Sequence, residues 1–392
     1  MGKYNFDVEY DRTSTNSVKY DLRGMIFGRD DVIPLWVADM DFATPEFILE
    51  AIRRRLQHPI LGYTFRGDGF TTALVEWIQK RHGYQLNPAS VCFSPGIVPA
   101  LVFSLLAYTE PGDRVIVQTP VYHPFFQVVE SNGRTVVNNP LKFENNYYTI
   151  DFDDLERKAV GCKVLFFSNP HNPVGRCWQR AELERLADIC FRHKLIVVSD
   201  EIHSDLMLFG NIHVPFASVS EYIKQSTISC YAPSKTFNLA GLSTSAVVID
   251  NEMLRKKFND VIERLHVGMG NIAGMVAFEA AYAEGKEWLD EMLIYVESNV
   301  EYMHDFLKKN LPAVKIIMPE ATYMAWLDFT RTGLTNDALN KLLISEAGVG
   351  LNDGAMFGEG GDCFQRINLA CPRSTLLKAL ECIKNALSKH NL

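Results

Sequence analysis

Short β-branched runs that end in Gly, Pro, Ser or Asp recur through the middle of the chain, and segments of helical period follow them. They lie at 90–94, 114–119, 163–168, 195–200, 227–231 and 243–249, and most are apolar throughout instead of alternating. A strand that is apolar on both faces is one covered by helices on both sides, as in a parallel sheet. Helices are predicted at 99–108 and 180–193; in the second, Leu183, Leu186, Ala187 and Cys190 fall on one face. The middle of the chain is therefore predicted to be an α/β layer. After about Gly285 the texture changes. A long helical stretch at 286–310 leads to a segment at 322–329, a helix near 336–347, a strand near 364–370 and a last helix at 374–388. These patterns predict a large domain over 46–285 and a smaller α+β domain built from 1–45 and 286–392. The arm at 1–45 fits neither pattern, and is assigned to the smaller domain or to a contact between subunits.

Composition narrows the picture mainly by exclusion. With 392 residues the chain exceeds the usual span of one hydrophobic core, and 47% hydrophobic with 22% charged residues is ordinary for a globular protein. The formal charge of −8 comes without a basic stripe, and the densest basic run, Arg53-Arg54-Arg55, reads as a solvated helix face. Nucleic acid is not an expected partner. No stretch approaches ~18 uninterrupted apolar residues, and the polar start of the chain carries no apolar signal region. No membrane association and a cytoplasmic location are expected. Eight cysteines include no C-x-x-C pair and read as buried free thiols, and no His/Cys cluster is spaced to hold a metal. Neither a Walker loop nor a G-x-G-x-x-G after a strand is present, which removes the main support for nucleotide or NAD binding.

The residues that carry chemistry stand just after the predicted strands. Lys235, in Ser234-Lys235-Thr236, closely follows the run at 227–231. Alone, such a lysine is more often a surface residue with its stem laid along apolar surface. Asp200 ends the run at 195–200; alone it would be a helix N-cap. The carboxyl ends of parallel strands are where open α/β sheets bind ligands. Taken together, a carboxylate that keeps a pyridine nitrogen protonated and an amine that holds an aldehyde carbon become a reasonable pair. Ser168-Asn169-Pro170-His171-Asn172-Pro173-Val174-Gly175 is either turn chemistry or a loop whose Asn amide donates to a phenolate oxygen. Ser94-Pro95-Gly96-Ile97-Val98 leads into a helix whose first N–H groups suit a phosphate. Tyr122 offers an aromatic plate, or else a core side chain.

Read in order, Ser94-Pro95-Gly96, Tyr122, Asn169-Pro170-His171-Asn172-Pro173-x-Gly175, Asp200-Glu201-Ile202-His203 and Ser234-Lys235 resemble the fold-type I enzymes that use pyridoxal 5′-phosphate (PLP), the aspartate aminotransferase superfamily. The resemblance spans almost the whole chain. The runs at 36–42, 321–328, 351–358 and 366–374 look like one branch of it, the cystathionine β-lyase and C–S lyase group, which includes a maltose-regulon modulator. It implies a large domain with a mostly parallel seven-stranded sheet beside a smaller α+β domain.

The same resemblance implies roles for particular residues. Lys235 would be the Schiff-base lysine, Asp200 the partner of the pyridinium nitrogen and Asn172 a donor to the 3-oxygen. Tyr122 would stack on the ring. Gly96, the N–H groups of Ile97 and Val98, and Ser234 would hold the phosphate, with Tyr63 reaching it from the other subunit of a homodimer. Arg366 would pair with the substrate carboxylate, with Arg373 as the competing candidate. Two departures stand out. His203 occupies the place where many aminotransferases carry a tyrosine, and Ser243 replaces their phosphate-binding arginine. The implied activity is α,β-elimination on cystathionine- or cysteine-type amino acids to a thiol, pyruvate and ammonia. Transamination, and a regulatory protein on the same scaffold, are the alternatives.

Overall fold

The structure is a computed structural model that describes residues 2–391. Seven strands form the large sheet: β1 (Val91–Ser94), β2 (Arg114–Val117), β3 (Thr135–Asn138), β4 (Cys162–Ser168), β5 (Ile196–Asp200), β6 (Thr227–Tyr231) and β7 (Ser245–Val248). Their spatial order is β1-β7-β6-β5-β4-β2-β3. The β2, β3, β4, β5 and β6 strands run parallel to one another, whereas β7 lies antiparallel to both β6 and β1.

Alternation along each strand explains why these runs are apolar throughout. In β4, Leu165 and Phe167 enter one core while Val164 and Phe166 enter another on the opposite face. All four are at most 1% exposed, and burying each contributes about 1.5–3 kcal/mol. Helices supply the covering layers. α1 (Glu46–Leu56) and α2 (Asp68–His82) precede the sheet, α3 (Ile97–Tyr108) follows β1, and α4 (Arg180–Arg192) joins β4 to β5. α4 starts on a capping box in which Gln179 and Glu182 satisfy each other's backbone N–H groups.

The chain closes with α5 (Ile272–Glu284), α6 (Lys286–Asn310) and a second sheet of β8 (Lys315–Ile317), β9 (Met324–Asp328), β10 (Asn352–Asp353) and β11 (Phe364–Asn368), followed by α7 (Arg373–Lys389). This four-stranded sheet is antiparallel, in the order β8-β9-β11-β10. The N-terminal arm pairs Ile33–Pro34 with Val349–Gly350, so it joins the C-terminal part of the chain. One continuous apolar cluster runs from Trp77 and Phe278 through Phe237 and Trp288 to Ile367 and Leu380.

One sequence expectation needs correction. The run predicted at 243–249 is neither parallel nor reached by a full crossover helix. Only a short helical turn at Pro233–Thr236 and a 3₁₀ turn at Ala240–Leu242 separate β6 from β7, too little chain for a parallel return. The helix expected near 336–347 is present, α-helical over Asn336–Lys341 and continuing as a π-helix over Leu342–Ala347. The edge strand β3 was not anticipated.

Candidate active site

The carboxyl ends of the parallel strands converge on a cavity of about 370 Å³. Lys235, Asp200, Asn172, Tyr122, His203, Ser234, Gly96, Ile97 and Val98 all line it. Strand register produces this convergence: Ser168 pairs with Asp200 and Asp200 with Cys230, so the residues that follow each strand emerge side by side. A larger groove of about 560 Å³ between α1, α2 and α5 contains none of these residues. It is lined instead by solvated side chains such as Glu76 and Lys80.

Asp200 is buried and, among the described residues, its carboxylate accepts one hydrogen bond, from Ile202 N–H at 3.1 Å. Burial raises its pKa to about 7, against the opposing effect of the Ile202 bond and of nearby Lys235. Turns follow the strand here and no helix begins at Asp200, so the capping alternative falls away. The Nζ of Lys235 donates to the Ala38 carbonyl at 2.6 Å. Burial, reinforced by the Arg366 charge, lowers the lysine to about 8, which leaves an appreciable fraction of free amine near neutral pH. His203 is pushed down to about 3 by burial, Lys235 and Arg366, so its imidazole is neutral, and its Nδ1 is buried without a partner.

Asn172 lines the cavity and accepts from Arg366 Nη1 at 3.1 Å through Oδ1, so what its side chain has left to offer is an N–H₂ donor. Burial raises the Tyr122 hydroxyl. Its ring stands near the start of the Asn172 loop, where Tyr122 N–H donates to the Asn172 carbonyl at 3.1 Å. Gly96 caps α3, leaving the N–H groups of Ile97 and Val98 without intrahelical acceptors at the cavity wall. Ser243 and Thr244 line the same wall, so hydroxyls stand where the resemblance would have placed an arginine.

Arg366 is 4% exposed, and among the described residues no carboxylate lies within ion-pair distance of it. Neutral acceptors hold its guanidinium: Asn352 Oδ1 at 2.6 Å, Asn172 Oδ1 and the Trp36 carbonyl at 3.1 Å, with the Phe357 ring 4.9 Å away. Its Nε is buried without a partner, and burial lowers its pKa to about 10. A buried, unpaired cation is costly, and an anion arriving at it recovers that cost. Arg373 does not compete. It binds Asn299 Oδ1 at 2.5 Å and Ser298 Oγ at 2.8 Å, and lies over the Tyr302 ring on α6.

Tyr63 is not brought to this cavity within its own chain; its side chain is 97% exposed. Several contributors have no role readable from the sequence. The runs at 36–42 and 351–358 are marked there only by resemblance, yet the Ala38 and Trp36 carbonyls and the Asn352 side-chain amide position Lys235 and Arg366; a backbone oxygen has no residue type that betrays it. Asp205 is another: it accepts from Trp77 Nε1 at 2.8 Å and Thr236 Oγ1 at 2.9 Å, and contacts His82 at 2.9 Å, fixing the turn that carries Lys235.

PLP fits these residues on the structure's own terms. A buried carboxylate short of donors, a lysine of lowered pKa and a helix N-terminus would suit its cationic ring nitrogen, aldehyde and phosphate respectively, and the unpaired buried arginine would suit the carboxylate of an amino acid joined to it. Among the described residues there is no cluster of ligands for a metal ion, and no helix is long and apolar enough to cross a membrane.

Residues 30–383 match the family described as aminotransferase class I and II. The chain is 47% identical to the cystathionine beta-lyase PatB of Bacillus subtilis (strain 168), over 98% of this chain and 100% of that protein. It is similar to the crystal structure of a PLP-bound putative aminotransferase from Clostridium difficile 630, with a TM-score of 0.97 and 41% identity over 98% and 100% of the two chains. It also resembles the PLP-bound C-S lyase from Staphylococcus hominis, with a TM-score of 0.92 and 38% identity over 98% of each chain.

Proposed function

Because the chain belongs to the class I and II aminotransferase family of PLP enzymes, we propose that it is a carbon–sulfur lyase that releases a thiol, pyruvate and ammonia from cystathionine- or cysteine-type amino acids. One observation carries this reading: Lys235 and Asp200 line a single cavity with their proton affinities displaced toward each other, to about 8 and about 7. Similarity to cystathionine and C–S lyases favours elimination over amino-group transfer.

When bound, PLP supplies an aldehyde carbon for amines and a cationic ring that accepts the electron pair left on Cα. Lys235, neutral in appreciable fraction near physiological pH, would take the Cα proton on Nζ. Asp200 keeps the ring nitrogen protonated, which its own buried charge favours as soon as a cation stands opposite it. The Asn172 amide and His203 would serve the cofactor's 3-oxygen, Tyr122 would offer its ring as a stacking partner, and the Ile97 and Val98 N–H groups with the Ser234 hydroxyl would hold the phosphate. Arg366 takes the substrate carboxylate bidentately and so fixes which Cα bond faces Lys235. The Lys235 ammonium then stands ready to give its proton to the departing sulfur. Water completes the balance, since hydrolysis of the remaining three-carbon unit yields pyruvate and ammonia.

The proposal includes a homodimer in which Tyr63 reaches the phosphate of the other subunit's site. Its full exposure beside exposed Ile60, Leu61 and Phe65 supports a surface that a second copy covers. The deciding experiment gives purified, PLP-loaded protein L-cystathionine with no keto acid and follows pyruvate. Sustained release that vanishes in Lys235→Ala supports the lyase; turnover strictly dependent on an added keto acid would establish a transaminase instead.

A further inference from the structure

Tyr323 has no role in the reaction just described, yet it meets the reacting lysine through a shared atom. Its ring is buried, and its hydroxyl donates to the Ala38 carbonyl at 3.0 Å, the same oxygen that receives Lys235 Nζ at 2.6 Å. A carbonyl oxygen has two lone pairs, so both bonds coexist. Each donor nonetheless draws on the same electron density, and strengthening one weakens the other.

Both partners of this arrangement are held in place from outside it. The Asn368 amide grips the carbonyls on either side of Ala38, Val37 at 2.8 Å and Asp39 at 2.6 Å. Tyr323 is anchored by its own carbonyl, which accepts from Leu369 N–H at 2.8 Å. The preceding Thr322 is buried with φ 72, a left-handed conformation that a β-branched residue adopts only where its surroundings impose it. Its N–H donates to the Leu206 carbonyl at 2.7 Å. The tyrosine therefore enters the site along a fixed path, 6.3 Å edge-on from the His203 ring.

We propose that Tyr323 is a positioning residue that sets how readily Lys235 releases its proton, by sharing the Ala38 carbonyl with it. The inference rests on Lys235 being the reacting amine of the function proposed above. Several other charges face that amine. Asp200 from β5 and Asp39 from the arm favour the ammonium, Arg366 from β11 opposes it, and His203 is neutral beside it. Tyr122 faces the same cavity from the end of β2. None of these shares an acceptor with Nζ, whereas Tyr323 does. Without its hydroxyl, the Ala38 oxygen serves the ammonium alone and holds the proton more firmly.

The test follows full-length protein freed of cofactor as it condenses with added PLP, recorded as visible absorbance over a pH range bracketing about 8. Only the free amine condenses, so the pH midpoint of the rate reports Lys235 without any turnover. Tyr323→Phe is expected to move that midpoint up by about half a pH unit, the size of one weak neutral hydrogen bond. A 3-fluorotyrosine placed at position 323 has a stronger donor hydroxyl and is expected to move it down; it also carries the test if the Phe variant does not fold. Midpoints that stay in place, including a uniform slowing at every pH, overturn the proposal and leave Tyr323 as packing. If the wild type gains no more absorbance than Lys235→Ala, the functional reading itself fails, and this inference with it.

Discussion

Asp200 places a charge where the unloaded protein does not want one, and that cost can be measured. Raising its pKa from 3.8 to about 7 corresponds to about 4 kcal/mol of lost folding stability once the carboxyl is ionised. Between about pH 4 and 7 the folded chain holds a proton that the unfolded chain has released, so this contribution to stability falls as pH rises through the window. Asp200→Asn keeps the shape and removes the titration. The cofactor-free variant should therefore be more stable than wild type near neutral pH, by up to about 4 kcal/mol, with the advantage shrinking toward pH 4. His203, lowered to about 3, titrates in the same range with the opposite sign, but the two proteins share it and it cancels in the difference. Urea unfolding of both cofactor-free proteins, at one protein concentration and several pH values, supplies the comparison. Adding PLP should reverse the order, because only the wild-type carboxylate gains a cationic partner. A variant no more stable than wild type at neutral pH, or an advantage independent of pH, would refute the reasoning.

Other consequences follow from the same geometry. Arg366→Lys replaces a planar fork with a point charge, and is expected to lower kcat/KM by roughly 30- to 150-fold, about 2–3 kcal/mol, mainly through KM. Steady-state kinetics on cystathionine read this, and a change confined to kcat would remove Arg366 from carboxylate binding. Mixing inactive Lys235→Ala chains with inactive Tyr63→Ala chains should restore up to about a quarter of wild-type activity, since half the dimers then contain one intact site. If Tyr63 served its own chain, the mixture would stay inactive. Phe166→Ala, at 1% exposure in β4, should cost about 3–5 kcal/mol by leaving a cavity between strand and helix layers, measured as a fall in Tm.

Much of this protein was already legible in one dimension. Runs such as Val164 to Phe167 are apolar because both sheet faces are covered, and that local necessity reveals six of the seven strands. The residues after them reveal the site, because chain direction in a parallel sheet sends every such residue to one edge. The strand β3 escaped because it is a short, partly exposed edge, Thr135–Asn138, whose two valines make too brief an apolar run between polar neighbours to mark it. The antiparallel course of β7 depends on which neighbours it pairs with, and no property of its own residues encodes that.

Long-range placement settled the remainder. Arg366 and Arg373 differ by seven positions and not at all in chemistry; what separates them is that one is buried among neutral acceptors, bonded to the cavity-lining Asn172, while the other is spent on α6. The arm at 36–42 matters through its backbone oxygens, which accept from Arg366, Asn368, Lys235 and Tyr323, residues 197 to 331 positions away. Side-chain type is written locally and can be read along the chain. The desolvation that moves Lys235 and Asp200 toward each other's proton affinity is a sum over groups gathered from distant segments, and exists only once the chain has folded around them.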